Sequence, residues 1–356
     1  MKILVYDVAA EDGGGLFVLK NFYEDVRKLN SDIKWTFYVS ADVLEPSENI
    51  EVKVFEKTKA SWLKRLSFET FELPKLIKEN DFDLIISLQN MPVRRCNKPQ
   101  LVYLHQSLQY CPIRFSLFKK DERALALRQK IICGLIKFNI KKSEHIFVQT
   151  QWIKKATLKW VGLDESKVSV VPVQIDLSNV PVKPFVGQNS REFFYPARAE
   201  IYKNHKVIIE ACRILVNRGI SDFKVTLTVN NQESPYQREI ITLSEGLPIE
   251  FIDSVTYADI WEYYSRTILL FPSYLETCGL PMLEAKYAKG RILASDMPFS
   301  HEALDGYENV AFFKYDNAEE LADKMERELN FASYREVESI ESSNENGLLS
   351  AMMEFL

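Results

Sequence analysis

The stretch Phe271-Pro272-Ser273-Tyr274-Leu275-Glu276-Thr277-Cys278-Gly279-Leu280-Pro281-Met282-Leu283-Glu284-Ala285 sets two carboxylates around a turn that can bind an anion. An apolar run ends at Phe271 as a strand would. Gly279 allows close backbone approach, and Pro281 suits a first helical residue, whose N–H the helix leaves unpaired in any case. The backbone N–H groups of Thr277 to Leu280 would then stand at a positive helix terminus, an arrangement suited to a diphosphate. Spacing is not what marks this pair, because Glu48/Glu56, Glu192/Glu200 and Glu320/Glu328 are also eight apart. The strand, the Gly-Leu-Pro turn and the helix start distinguish Glu276 and Glu284; the plain alternative for either is a helix cap.

A second group lies in Tyr195-Pro196-Ala197-Arg198-Ala199-Glu200-Ile201-Tyr202-Lys203-Asn204-His205. Strand residues up to Tyr195 lead into a loop carrying Arg198 and Lys203, and a helix follows. Arginine can fork two phosphate oxygens and lysine acts as a point charge. Taken alone, the two would be surface cations; at a strand's carboxyl end, beside a helix start, they suit phosphate.

The elements that must position these groups alternate along the chain. Strand candidates in the first half are Ile3 to Tyr6, Trp35 to Val39, Leu84 to Ile86, Leu101 to Leu104, Ile146 to Val148 and Val168 to Val171. Those in the second are Glu192 to Tyr195, Val225 to Val229, Ile249 to Ile252, Ile268 to Phe271, Ile292 to Ala294 and Val310 to Phe313. Helical patterns fall between them, so the expected class is α/β with parallel sheets covered on both faces. Asn179 to Ser190 has the Pro, Gly, Asn and Ser content of a linker. With 356 residues the chain is long enough for about two domains. The expected division is 1–180 and 181–332, with a C-terminal helix of about 333–356 that packs back on the first domain. Ligands of such sheets bind at strand carboxyl ends, which for two facing sheets means the cleft between them.

These residues resemble the family 4, or group 1, glycosyltransferases. The shared features are R-x4-K after a strand, the F-P-S-x-x-E-T-C-G-L-P-M-L-E-A segment, and an N-terminal strand followed by Gly13-Gly14-Gly15. The resemblance covers nearly the whole chain and is most specific in the C-terminal half. It implies the GT-B fold, with two Rossmann-like doubly wound domains facing across a cleft. It also implies a UDP- or GDP-sugar donor, transfer with retention at the anomeric carbon, and no cofactor or bound metal. Position by position, Arg198 and Lys203 match the diphosphate cations, and Glu284 matches the ribose-binding glutamate. Glu276 matches the glutamate facing the donor sugar. The backbone of Cys278, Gly279 and Leu280 matches the loop over sugar and phosphate. Gly14 and Gly15 match the N-terminal glycine loop over the diphosphate. His105, at the end of a strand, matches a histidine beside the sugar that is often needed for activity. The chain departs from the family at Val173-Gln174, where Asn-Gly is frequent, at Asn230-Asn231, and at Asp253, where glycine is common. The acceptor implied is a glycan or a polyprenyl-linked glycan, in surface polysaccharide synthesis such as O-antigen or capsule.

Several rival chemistries fit less well. Gly13-Gly14-Gly15 with Asp42 imitates a dinucleotide fingerprint, yet five residues intervene after Asp7 and Val18 stands where a third glycine belongs. Asp81-Phe82-Asp83 is a D-x-D of the metal-binding kind, but it precedes a strand instead of following one. His145 and His205 lack metal-ligating neighbours at metal spacing, and His301 lies where a helix cap would. A nucleotide-sugar epimerase of the same fold and a non-catalytic sugar-nucleotide binder are the competing functions. An epimerase would convert the donor without acceptor, and a degenerate binder would be expected to have lost one of the five polar site residues.

Composition sets further bounds. Five cysteines without a C-x-x-C pair argue against a disulfide framework or a zinc ribbon. No apolar run reaches bilayer length, so a cytoplasmic location is expected, peripheral at the inner face of the membrane where the chain meets it. Residues 1–180 carry 28 Lys+Arg against 22 Asp+Glu, while the remainder is acidic. Nucleic acid is not expected as a partner. Much of the positive charge lies in 119–142, where Leu125, Leu127, Ile131, Ile132, Leu135, Ile136 and Phe138 recur among eight basic residues. That pattern predicts a basic amphipathic helix suited to an anionic membrane surface, or equally a core helix with a solvated basic face.

Overall fold

Strand β1 (Lys2–Asp7) explains why the first sheet is buried on both sides. Ile3 and Val5 enter a cluster with Phe22, Trp35 and Phe37, whereas Leu4 and Tyr6 enter a second one with Tyr38, Phe68, Leu73 and Ile85. Successive side chains of a strand point to opposite faces, so a strand covered on both must be apolar throughout. The computed structural model describes residues 1–10, 13–29, 31–59, 61–173, 185–187, 189–229, 234–330 and 347–356. The expected join at 180–181, Gln174 to Asp176, Asn230-Asn231 and the expected helix before residue 347 lie outside the described residues, as do Glu11 and Asp12.

The first sheet continues with β2 (Lys34–Val39), β3 (Ile50–Val54), β4 (Leu84–Ser87), β5 (Gln100–Leu104), β6 (His145–Val148) and β7 (Val168–Val170). All pairings are parallel and the order is β3-β2-β1-β4-β5-β6-β7. The strand β3 is absent from the sequence expectation. It is an edge strand whose Glu51 and Lys53 break the apolar run, since only one side pairs and much of it meets water.

The second sheet contains β8 (Glu192–Tyr195), β9 (Lys224–Leu227), β10 (Ile249–Phe251), β11 (Ile268–Phe271), β12 (Ile292–Ser295) and β13 (Val310–Phe313). Its order is β10-β9-β8-β11-β12-β13, again wholly parallel. Each sheet thus has one place where strand order reverses, between β1 and β4 in the first and between β8 and β11 in the second. Loops leave a doubly wound sheet in opposite directions at that point, which opens a crevice at the carboxyl edge.

The chain divides into two compact units. One holds Met1–Gln109 and Arg128–Val173 together with the C-terminal helix Leu348–Met353, whose Leu349 and Met352 join the cluster around Phe22. The other holds β8 to β13 together with Tyr110–Leu127, so the chain leaves the first unit between β5 and β6 and returns. The basic segment is a helical run that begins at Arg123, later than the expected 119. It comprises Arg123–Leu127, a wider π turn at Arg128–Ile132, Cys133–Asn139 and a closing turn Ile140–Lys142.

Candidate functional site

In the second unit both sequence motifs emerge at the carboxyl ends of β8 and β11, the adjacent strands at the order reversal. After β8 the chain passes Arg198, which is exposed, makes a tight turn over Ile201–Lys203 and reaches Asn204 with φ of 62°. Asn204 donates from Nδ2 to the carbonyls of Pro272 at 3.1 Å and Tyr315 at 2.7 Å. The amide of Tyr274 donates to Tyr202 O at 3.1 Å, and the Tyr195 hydroxyl donates to Lys203 O at 3.0 Å. These bonds sew the loop after β8 to the loop after β11. Their result is a charge-assisted contact in which Lys203 Nζ donates to Glu276 Oε1 at 2.5 Å, both side chains being partly buried.

Gly279 sits immediately before the helix Leu280–Tyr287 with φ of 68°. The left-handed backbone there calls for glycine, whereas the nearest atom to a Cβ, Met282 Cε, is the movable end of a side chain. Cys278 is buried and burial pushes its thiol up to about 12. It is an unreactive sulfur, and what the turn offers a ligand is backbone. Glu284 lies on the helix and is buried, and its Oε2 accepts from the Tyr264 hydroxyl at 2.8 Å. Burial raises the pKa of this carboxyl, while the Tyr264 bond works the other way. Tyr264 comes from the helix Tyr257–Arg266 and is not apparent from sequence, because the helical period that buries it does not reveal which carboxylate it meets.

In the first unit the glycines form the first turn of the helix Gly13–Lys28 and not an extended loop. A Cβ on Gly15 would lie 3.8 Å from His105 Cε1 and 3.8 Å from Ala10 Cα, so glycine and histidine, ninety residues apart in sequence, are neighbours. His105 Nε2 lies 2.8 Å from Leu88 O. A carbonyl oxygen only accepts, so Nε2 carries the proton and Nδ1 keeps its lone pair. Burial lowers the pKa of His105, which favours this neutral form. Its amide donates to Asn90 Oδ1 at 2.8 Å, and its ring stacks on Tyr103.

Asp7, at the end of β1, is a second residue whose role the sequence does not display. Its Oδ1 accepts from Ala9 N at 3.1 Å and Ala10 N at 3.0 Å, which fixes the chain just before the glycines. Burial raises its pKa to about 6, opposed by those two amides and by Arg65. Arg65 and Glu69 belong to a helix with a π turn at Phe68–Glu72, and Glu69 accepts from Arg65, Gln89 and the Tyr6 hydroxyl. The visible signal was a carboxylate directly after a wholly apolar strand.

The other sequence candidates are engaged with neighbouring protein groups. Asp81 bonds Lys98 Nζ at 2.8 Å and Asp83 accepts from Lys2 N at 2.7 Å, both at the amino ends of the strands. His145 contacts Ser169 Oγ and burial lowers its pKa to about 4. His205 is buried between Tyr195 and Tyr236, its pKa lowered to about 3. His301 contacts Asp296 Oδ1 at 2.6 Å instead of capping its helix. Among the described residues no cluster of three metal-ligating side chains occurs, and no helix is long and apolar enough to cross a membrane.

The second unit therefore presents cations, amides and two carboxylates at one edge, the elements needed to hold a nucleoside diphosphate and a hydroxyl-rich group. Residues 180–338 match the family described as glycosyl transferases group 1. The O-antigen chain mannosyltransferase RfbU of Salmonella typhimurium is 23% identical over 180 residues, covering 48% of this chain and 47% of RfbU. The chain thus matches about half the length of that curated relative. Sucrose-phosphate synthase from Thermosynechococcus elongatus superposes with a TM-score of 0.69 at 16% identity, covering 94% of this chain and 90% of that one. Anabaena HepE, solved with UDP and glucose, gives 0.64 at 18% identity, covering 94% and 93%. The fold is GT-B, with two parallel-sheet α/β domains, and residues 180–338 carry the likeness to the group 1 glycosyltransferases.

Proposed function

We propose that this enzyme transfers a sugar from a UDP- or GDP-sugar, with retention at the anomeric carbon and without a bound metal, to a glycan or polyprenyl-linked acceptor in surface polysaccharide synthesis. The observation that carries the reading is the Lys203–Glu276 contact at the order reversal of the second sheet, which brings the two sequence motifs to one point. In this reading Arg198 and Lys203 bind the diphosphate, and the amides of Cys278, Gly279 and Leu280 lie over phosphate and sugar. Glu284, held by Tyr264, takes the ribose hydroxyls. Glu276 faces the donor sugar.

As the bond between the anomeric carbon and the diphosphate breaks, negative charge grows on phosphate oxygens. Cations and amides fixed in advance stabilise that charge more in the transition state than in the ground state. In the first unit, Gly14 and Gly15 leave the first turn of the helix Gly13–Lys28 without side chains, which lets its terminus approach the diphosphate. His105 presents Nδ1 as an acceptor for a sugar hydroxyl. The acceptor class is supported by the likeness to RfbU, whose name describes O-antigen chain mannosyl transfer.

A panel of nucleotide sugars read by the melting temperature tests the donor, because a ligand that binds only the folded state raises it. The expected result is stabilisation by one UDP- or GDP-sugar, undiminished by excess EDTA, with only slow hydrolysis when acceptor is left out. Rapid conversion of the sugar nucleotide to a stereoisomer would make the chain an epimerase. Stabilisation lost in EDTA and restored by Mg²⁺ would end the metal-free reading.

A further inference from the structure

Residues 128–142 contain Arg128, Lys130, Lys137, Lys141 and Lys142 and no aspartate or glutamate. They lie entirely in the first unit and form the second part of the basic helical run. One side of this segment is core: Gln129, Cys133, Ile136, Asn139 and Ile140 are buried. On the other side all five cations are exposed, and among them Ile131 and Phe138 are 44% and 72% exposed.

Two of the cations lie along aromatic rings. Lys142 Nζ is 5.5 Å from the centroid of Phe138, and Lys137 Nζ is 5.7 Å from that of Trp160 on the helix Gln151–Val161. Such stems lie on apolar surface while the ammonium reaches outward, the posture of lysines at an apolar–polar boundary. A polyanion in water would satisfy the charges and leave Phe138 and Ile131 exposed. A lipid leaflet satisfies both, because its headgroups meet the ammonium groups and its acyl boundary admits the apolar side chains.

We propose that this face docks on a membrane leaflet containing anionic phospholipid, which would keep the enzyme beside a lipid-linked acceptor. The inference goes beyond sugar transfer and stands on the surface of the chain. Its test reads binding and not activity, so it fails or holds separately from the proposed reaction.

The test is co-sedimentation of the full chain with vesicles of phosphatidylcholine, with or without about 30 mol % phosphatidylglycerol. Binding is expected to the anionic vesicles at about 0.1 M salt and not to the neutral ones. It should be released at about 0.5 M, where the screening length is a few ångströms. Lys137→Glu, Lys141→Glu and Lys142→Glu together should lower partitioning by on the order of a hundredfold, since each basic residue near the surface is worth roughly fivefold. Phe138→Ser keeps every charge and should still cost on the order of tenfold, the contribution of an inserted aromatic ring. All four positions are exposed, and unchanged melting temperatures would exclude misfolding; the salt series needs no variant. No binding of wild type to anionic vesicles at low salt would overturn the proposal. So would a Phe138→Ser variant that binds them unchanged while both proteins bind heparin equally well, because the face would then read charge alone.

Discussion

The carboxyl edges of the two sheets place their charged groups differently. In the second unit the edge carries full charges that meet each other, with Lys203 on Glu276 and Arg198 on the same loop. In the first unit the edge holds His105, whose neutral form burial favours, glycines and the buried carboxyl of Asp7, with the Arg65–Glu69 pair beside it. On the proposed reading, the electrostatic work of donor binding falls to the second unit. That division also accounts for why motif signals concentrate in the second half, since charged groups at fixed spacing are easier to read than a surface made by backbone.

The largest effect expected from this division is at the cations. Arg198→Ala or Lys203→Ala should each lower kcat/KM by an amount equivalent to about 2 to 5 kcal/mol, as for truncating one member of a desolvated charge contact. Steady-state kinetics with the stabilising donor measures it. Wild-type kcat/KM in either variant would remove the second unit from the phosphate.

The Lys203–Glu276 contact sharpens the comparison further. On the proposed reading, Glu276 occupies the ammonium of Lys203 that the diphosphate would use. Glu276→Gln should therefore cut turnover by on the order of a hundredfold yet tighten binding of the free nucleoside diphosphate by about three- to tenfold. Glu284→Ala should instead weaken that binding, through lost ribose hydrogen bonds. Calorimetry on the two variants separates the roles, and equal losses in both would collapse the distinction.

The third effect concerns the first unit and is read in stability. A carboxyl with folded pKa about 6 against 3.8 unfolded contributes stability that is fully present below pH 3.8 and lost as pH rises through 6. Ionised Asp7 then costs up to about 3 kcal/mol at neutral pH, taking 1.4 kcal/mol per pKa unit. Asp7→Asn keeps an oxygen acceptor for Ala9 and Ala10 and removes the ionisation. Its melting temperature should exceed wild type by a margin that widens from pH 4 to pH 8. A margin constant with pH would mean that Asp7 does not titrate in this range.

Much of this architecture was legible beforehand. Twelve strands of the two sheets follow from apolar runs, because a parallel strand covered on both faces must be apolar along its length. The exception, β3, has Glu51 and Lys53 in its middle. Arg198, Lys203, Glu276 and Glu284 were also visible, each near a strand end or a helix start whose punctuation is local. Tyr264, Asn204, Asp7 and Asn90 were not visible as site-forming groups, although each holds a site group or its loop.

The sequence by itself determined the α/β class, the two families of strands and the positions of the ionisable groups, because hydrophobic period, glycine and proline act within a few residues. Only the tertiary structure decided that Lys203 meets Glu276, that Tyr264 holds Glu284 and that Gly15 lies against His105. It also decided that Tyr110–Leu127 joins the second unit and that the basic run buries one face and exposes Phe138 on the other. Each of these joins residues far apart in the chain or turns one side of a helix inward. Such contacts depend on strand order and packing, which side-chain periodicity along a single element does not encode.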